Sequence, residues 1–155
     1  MGVIGTVGTV RSGAYQRAVA ASGAEVELTV AACPGFVEFV ERGDTGSDQV
    51  HVLAERLLAP VIDAKVDALL LGCTHYPFLA RTIGEVMGRG VVLVSSADET
   101  AFEVAGLLEE TGLVRRTASK GQHRWISSGD TTWFRDLGSR LLGPELADVE
   151  GMSWD

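Results

Sequence analysis

Apolar and polar positions along this chain alternate between two rhythms, one of strands and one of helices. The run "GVIG" at 2–5 predicts a short buried strand. The stretch "TVGTVRSGAYQRAVAAS" after it predicts a turn and a helix of about three turns, with Tyr15, Val19 and Ala20 on one face and Gly23 at the stop. In "AEVELTV", at 24–30, Val26, Leu28 and Val30 alternate with Glu25, Glu27 and Thr29, the pattern of a half-exposed strand. "ACPGF" is a turn, and "FVEFVERG" is a short helix closed by Gly43. Ser47 then caps a helix over 48–63, with Val50, Leu53, Leu57, Leu58 and Val61 at helical spacing.

"VDALLLG" shows no alternation, which predicts a strand covered on both faces at the centre of a parallel sheet. "PFLARTIGEVMG" opens a helix with Pro77 in its first turn, where a missing N–H costs nothing. "VVLVSS" is the next strand. "ADETAFEVAGLLEETG" is a helix with acids in its first turn and Gly112 at its end. Residues 114–123 are polar and predict a mobile loop, "RWISSGD" and "TTWFRDLGSRLLG" a further strand and helix, and the tail "PELADVEGMSWD" no clear structure. The alternation gives an α/β class with a mainly parallel sheet flanked by helices. A boundary near 97 divides the chain into 1–97 and 98–155. In such sheets ligands bind where strands run out into helices, here at 5–12, 31–36, 72–77, 95–98 and 127–131.

Composition narrows the function classes. The chain has 155 residues, 46% hydrophobic and 22% charged, enough for an ordinary globular domain. A net charge of −8 argues against non-specific nucleic-acid binding and against an anionic membrane surface. No apolar run approaches the ~20 residues of a membrane span. The start "MGVIGTVG" carries no secretory pattern, so a cytoplasmic, reducing location is expected. Cys33 and Cys73 do not make a disulfide scaffold. Gly2, Gly5 and Gly8 do not fit a dinucleotide fingerprint, so no nucleotide cofactor is expected.

The sharpest chemical feature is "LLLGCTHYPF" at 69–78, where a buried strand delivers a cysteine and a histidine into a turn ahead of a proline. A helix N-terminus after Cys73 offers free N–H groups and a positive dipole end, a setting that favours thiolate. His75 can hold or pass a proton near neutral pH, and Thr74 brings a hydroxyl and an N–H suited to a carboxylate. The same spacing also suits a cysteine packed as a small hydrophobe with His75 capping the turn. Zinc is not expected, because no second close ligand pair exists.

"LLLGCTHYPFL" resembles the signature around the second catalytic cysteine of glutamate racemases. "GVIGTVGTVRSGAY", "ACPGFVEFVERG", "VVLVSSADETA" and "SSGDTTWF" resemble further segments of that family in the same order, over nearly all of 2–144. The resemblance implies cofactor-independent interconversion of L- and D-glutamate by two thiols flanking the α-carbon, with the D-product destined for the bacterial cell wall. It implies that Cys73 is one of these thiols, that His75 assists its proton transfer, and that Glu41 lies near it. Thr74 and Thr9 would contact the substrate. Read without the resemblance, Glu41 is an exposed charge at a helix end and Thr9 a helix N-cap. Cys33 corresponds to a non-catalytic cysteine and is expected to be packing.

The family's "Asp-Ser-Gly-x-Gly-Gly" and "Cys-Asn-Thr" turns are not among these 155 residues. The resemblance therefore makes 1–97 the second of two α/β domains, and 98–155 a segment that packs on the first. The expected partners are glutamate and either that first domain or another copy of this chain. On its own the chain, with one of the two thiols, is not expected to racemise glutamate. A non-catalytic glutamate-binding or subunit-interaction module with the same fold is the alternative. A different amino-acid racemase is a third reading, against which "THYP" speaks.

Overall fold

Four short strands, β1 (Gly2–Gly5), β2 (Thr29–Ala32), β3 (Ala68–Leu71) and β4 (Val92–Ser95), form a parallel sheet in the order β2-β1-β3-β4 in the computed structural model. The structure describes residues 1–117 and 121–154. Helices α1 (Val7–Ser12), α2 (Ala14–Ser22), α3 (Phe36–Glu41), α4 (Asp48–Asp63), α5 (Ala80–Met87) and α6 (Ser96–Glu110) connect or follow these strands, with a 3-10 turn at Tyr76–Leu79. All belong to one compact unit, Met1–Leu113. This is the α/β class with a parallel sheet that the pattern predicts.

Three details depart from the pattern. The helix expected after β1 is broken by Gly13, whose φ of 65° lies in the left-handed region that glycine enters freely. The strand expected at 24–30 begins only at Thr29. β1 offers four residues as partners, from Gly2 opposite Thr29 to Gly5 opposite Ala32, and residues 24–27 stay exposed without a ladder. The strand covered on both faces is β1, buried at all four positions. In β3, Leu69 and Leu71 are buried but Ala68 and Leu70 only half-buried.

The core lies between the sheet and α4. Val50, Ala54, Leu58 and Val61 of α4 are fully buried, each large side chain contributing about 1.5–3 kcal/mol. Ser47 caps the helix by accepting from the Val50 N–H at 3.4 Å, while the Asp44 carboxylate accepts from the Ser47 hydroxyl at 2.8 Å. A Cβ on Gly2 would stand 2.9 Å from Leu69 Cδ1 and 3.2 Å from Val61 Cγ1, so glycine there lets α4 close over β1 and β3.

The second unit, Val114–Asp155, holds β5 (Trp125–Ser127), α7 (Thr131–Leu142) and β6 (Val149–Gly151). The tail is not structureless as expected. β6 pairs in parallel with β5, the Trp125 indole N–H donates to the Glu145 carbonyl at 3.2 Å, and Leu146 is buried against Gly138. These contacts depend on α7 turning the chain back, which no local periodicity announces. The loop expected at 114–123 falls partly on 118–120, outside the described residues; its described flanks carry no regular structure. Among the described residues, no helix is long and apolar enough to cross a membrane.

Candidate active site

β3 ends at Leu71, and the Gly72 N–H donates to the Ile4 carbonyl at 2.8 Å, the last ladder bond toward β1. Cys73 follows at once, at the carboxyl end of the sheet. The Tyr76 N–H donates to the Cys73 carbonyl at 3.2 Å and the Phe78 N–H to that of His75 at 3.1 Å. The backbone after the thiol is therefore a 3-10 turn with Pro77 in its first positions, and the α-helix proper starts only at Ala80.

At this turn three groups, one of them from α3, lie in line. Cys73 is half-buried, its Sγ 4.0 Å from His75 Nδ1. The other ring nitrogen, Nε2, is 3.5 Å from Glu41 Oε1. Glu41 closes α3, and both side chains are about one-third exposed (29% for His75, 35% for Glu41). Thr74 Oγ1 lies 3.5 Å from His75 Nδ1, its residue exposed. Four residues singled out from the sequence thus lie together: Cys73, Thr74, His75 and Glu41.

Thr9 sits apart from this line but at the same sheet end. Its Oγ1 is 2.9 Å from Thr6 Oγ1, and the N-cap of α1 is Thr6, which accepts from the Thr9 N–H at 3.2 Å. A Cβ on Gly5 would stand 3.1 Å from Thr9 Cγ2 and 3.6 Å from the Gly72 carbonyl oxygen, so Thr9 lies over the end of β1 beside the end of β3.

Cys33 occupies the opposite environment. It is 1% exposed, and burial pushes its thiol up to about 12. Its carbonyl accepts the Tyr76 hydroxyl at 3.1 Å. Burial, then the nearby Cys33, Cys73 and Glu38, hold the Tyr76 phenol far above its ordinary range.

Three residues around the thiol escaped the sequence reading. Tyr76 ties the turn to β2 through that hydroxyl, and its ring meets Phe36 of α3 edge-on at 5.4 Å. Ser96 donates its hydroxyl to the Leu71 carbonyl at 2.7 Å. Tyr15 of α2 lies over Gly72, where a Cβ would stand 2.9 Å from its Oη. Tyr76 stood inside the cysteine motif and Tyr15 on an apolar helix face, so sequence signals existed without revealing these partners. A recess of about 600 Å³ lies away from this chemistry, at the amino end of the strands between Glu27 and Asp67. A smaller one of about 180 Å³, lined by Thr6, Cys33 and Glu38 among others, lies at the carboxyl end.

A thiol beside an imidazole that also faces a carboxylate can exchange a proton near neutral pH. Comparison with known proteins carries the same theme. The family model described as Asp/Glu/Hydantoin racemase matches residues 1–104. The chain is 51% identical over 150 residues to a glutamate racemase of Acidothermus cellulolyticus, covering 96% of this chain and 57% of that protein. It is 48% identical over 151 residues to one of Mycobacterium tuberculosis, covering 97% and 55%. The solved glutamate racemase isoform RacE1 of Bacillus anthracis superposes with a TM-score of 0.87 at 33% identity, covering 99% of this chain and 56% of that one. That of Francisella tularensis, in complex with D-glutamate, gives 0.88 at 29% identity, covering 98% and 57%. The chain thus spans about half the length of the relatives it matches.

Proposed function

Since this chain belongs to the Asp/Glu/hydantoin racemase family, we propose that it supplies one half of a glutamate racemase, with Cys73 as one of two proton-transfer thiols. The observation that carries this reading is the line from Cys73 Sγ through His75 to Glu41, at 4.0 Å and 3.5 Å. Without a cofactor, inverting an α-carbon requires removing its proton from one face and returning a proton to the other. Cys73 as thiolate takes the proton, and as thiol it gives one back in the reverse direction. His75 holds or releases the balancing proton, and Glu41 orients the ring and steadies its charged form. The Thr74 hydroxyl and turn N–H, with the Thr9 hydroxyl, would bind the substrate carboxylate, where charge grows as the proton leaves.

The facing thiol is not Cys33, which is buried and held neutral far above the working pH. It must come from a further domain or another chain packed against this sheet end. In this reading residues 1–97 form the domain that carries Cys73, and 98–155 pack on the partner. The product, D-glutamate, serves peptidoglycan synthesis in the cytoplasm.

The test is to assay D-glutamate formation by this chain alone and mixed with a polypeptide carrying a family first domain. Activity is expected only in the mixture, and Cys73→Ser should abolish it. Turnover that survives Cys73→Ser would overturn the role of the thiol. Glutamate binding by the chain alone, with no activity in any mixture, would favour the non-catalytic module instead.

A further inference from the structure

We propose that Tyr15 is a positioning residue for Cys73, a role that rests on reading Cys73 as a proton-transfer thiol. The backbone beside the thiol is held by hydrogen bonds on three sides. The Gly72 N–H donates to the Ile4 carbonyl at 2.8 Å, the Ser96 hydroxyl to the Leu71 carbonyl at 2.7 Å, and the Tyr76 hydroxyl to the Cys33 carbonyl at 3.1 Å. Gly72 itself is held by contact. A Cβ there would stand 2.9 Å from Tyr15 Cε2, 2.9 Å from Tyr15 Oη and 2.9 Å from the Ile4 carbonyl oxygen. The edge of the Tyr15 ring therefore rests on the Cα of the residue that precedes the thiol, and only glycine admits it.

The ring reaches this spot because Gly13 turns the chain between α1 and α2, and Tyr15 is the second residue after that turn. Tyr15 is half-buried, and its ring edge and its hydroxyl oxygen lie equally close to Gly72, where the ring supplies the apolar contact that Tyr15→Phe keeps. The titratable groups set around Cys73 are His75 on its own turn, Glu41 from α3, and the phenols of Tyr76 and Tyr15. With the ring gone, Gly72 keeps its hydrogen bond to Ile4 but loses the contact on its Cα side, and the Gly72–Cys73 backbone gains freedom. The thiol then spends less time against His75 and more time open to solvent.

These two effects act oppositely on thiol alkylation, and that makes the test specific. Rates of Cys73 modification by iodoacetamide are measured from about pH 6 to about pH 10 on the 155-residue chain, with the site identified by peptide mapping. Tyr15→Phe keeps the ring and should follow the parent within about twofold throughout. Tyr15→Ala should react about threefold or more slowly near neutrality, where the reaction draws on the neighbouring His75, and faster at the alkaline limit, where only access matters. The two profiles should cross. Superimposable profiles would overturn the proposal, as would a uniform acceleration by Tyr15→Ala, which would mark the ring as a mere shield. A Phe variant that behaves like Ala would also overturn it, moving the role to the hydroxyl. If circular dichroism shows that Tyr15→Ala does not fold, Tyr15→Leu supplies the same comparison with the helix face still apolar. The readout needs no turnover. A failure of the racemase reading would show as missing D-glutamate in the mixed assay and would leave the alkylation profiles unaffected.

Discussion

Cys33 and Cys73 follow the ends of β2 and β3, the two strands that flank β1, and they differ in burial, Cys33 being enclosed and Cys73 half-buried. Cys33 is enclosed and its thiol is raised to about 12, above the ordinary value of 9.0. The unfolded chain ionises this thiol near its ordinary value, whereas the folded chain keeps it neutral. Its contribution is therefore fully present below about pH 9 and is lost as pH rises toward 12. Between pH 8 and 10 that loss is about 1.4 kcal/mol, and Cys33→Ala should remove it, giving a flatter fall of urea stability than the parent. Equal slopes would show that the buried thiol is not the titrating group. Glu41 allows a second prediction. In the complemented enzyme, Glu41→Gln keeps shape but not charge, and kcat should fall about tenfold with KM within about twofold. An unchanged kcat would return Glu41 to an ordinary charge at a helix end. The sequence displays Cys73, Thr74 and His75 as neighbours, so their meeting is legible. Glu41 lies 34 positions before His75 and was named only through the family resemblance, since helix length, turn and strand register together decide where α3 ends.

At the scale of elements, Tyr76 joins the thiol turn to α3. Its ring packs on Phe36, five residues before Glu41, and its hydroxyl reaches the Cys33 carbonyl in the turn between β2 and α3. Tyr76→Phe preserves the ring pair but strips a buried carbonyl of this donor. It should cost about 1–2 kcal/mol in urea unfolding. It should also loosen α3 against the 3-10 turn, read as faster amide exchange at residues 36–41 than in the parent. No loss of stability would mean that water replaces the phenol at no cost. Helix α4 was legible because its spacing, its Ser47 cap and its length agree, and local signals then suffice. β2 was legible in kind but not in place. Alternation in "AEVELTV" predicts which residues share a side, whereas the four residues of β1 decide where a ladder forms. The break at Gly13 was missed because the apolar spacing continues across it, and the left-handed φ is a backbone property that spacing does not record.

On the scale of the whole molecule, the least satisfied part is α6. Its cap and first-turn acids are well formed, with Ser95 accepting from the Asp98 N–H at 3.2 Å, yet none of its residues is buried. Phe102 is 71% and Leu107 57% exposed, and the neighbouring edge strand β4 leaves Val92 64% exposed. Apolar side chains concentrated on one helix and one sheet edge form an exposed patch of the kind that serves as an interaction surface in other proteins. The sequence predicted the helix correctly, because capping and composition are local. It carries no signal for what would cover these side chains, and the chain spans about half the length of the relatives it matches. Under the proposal that a further domain packs here, Phe102→Ser with Leu107→Ser should change the stability of the isolated chain by less than about 0.5 kcal/mol, since both residues are exposed in it. The same pair should weaken association with the first-domain polypeptide by about a hundredfold, the loss of two anchors at about 1–2 kcal/mol each. Calorimetric titration measures the second effect and urea unfolding the first. If association is undiminished while activity in the mixture persists, the covering surface lies elsewhere on the chain. A large loss of the chain's own stability would instead mean that α6 is already packed in solution and needs no partner.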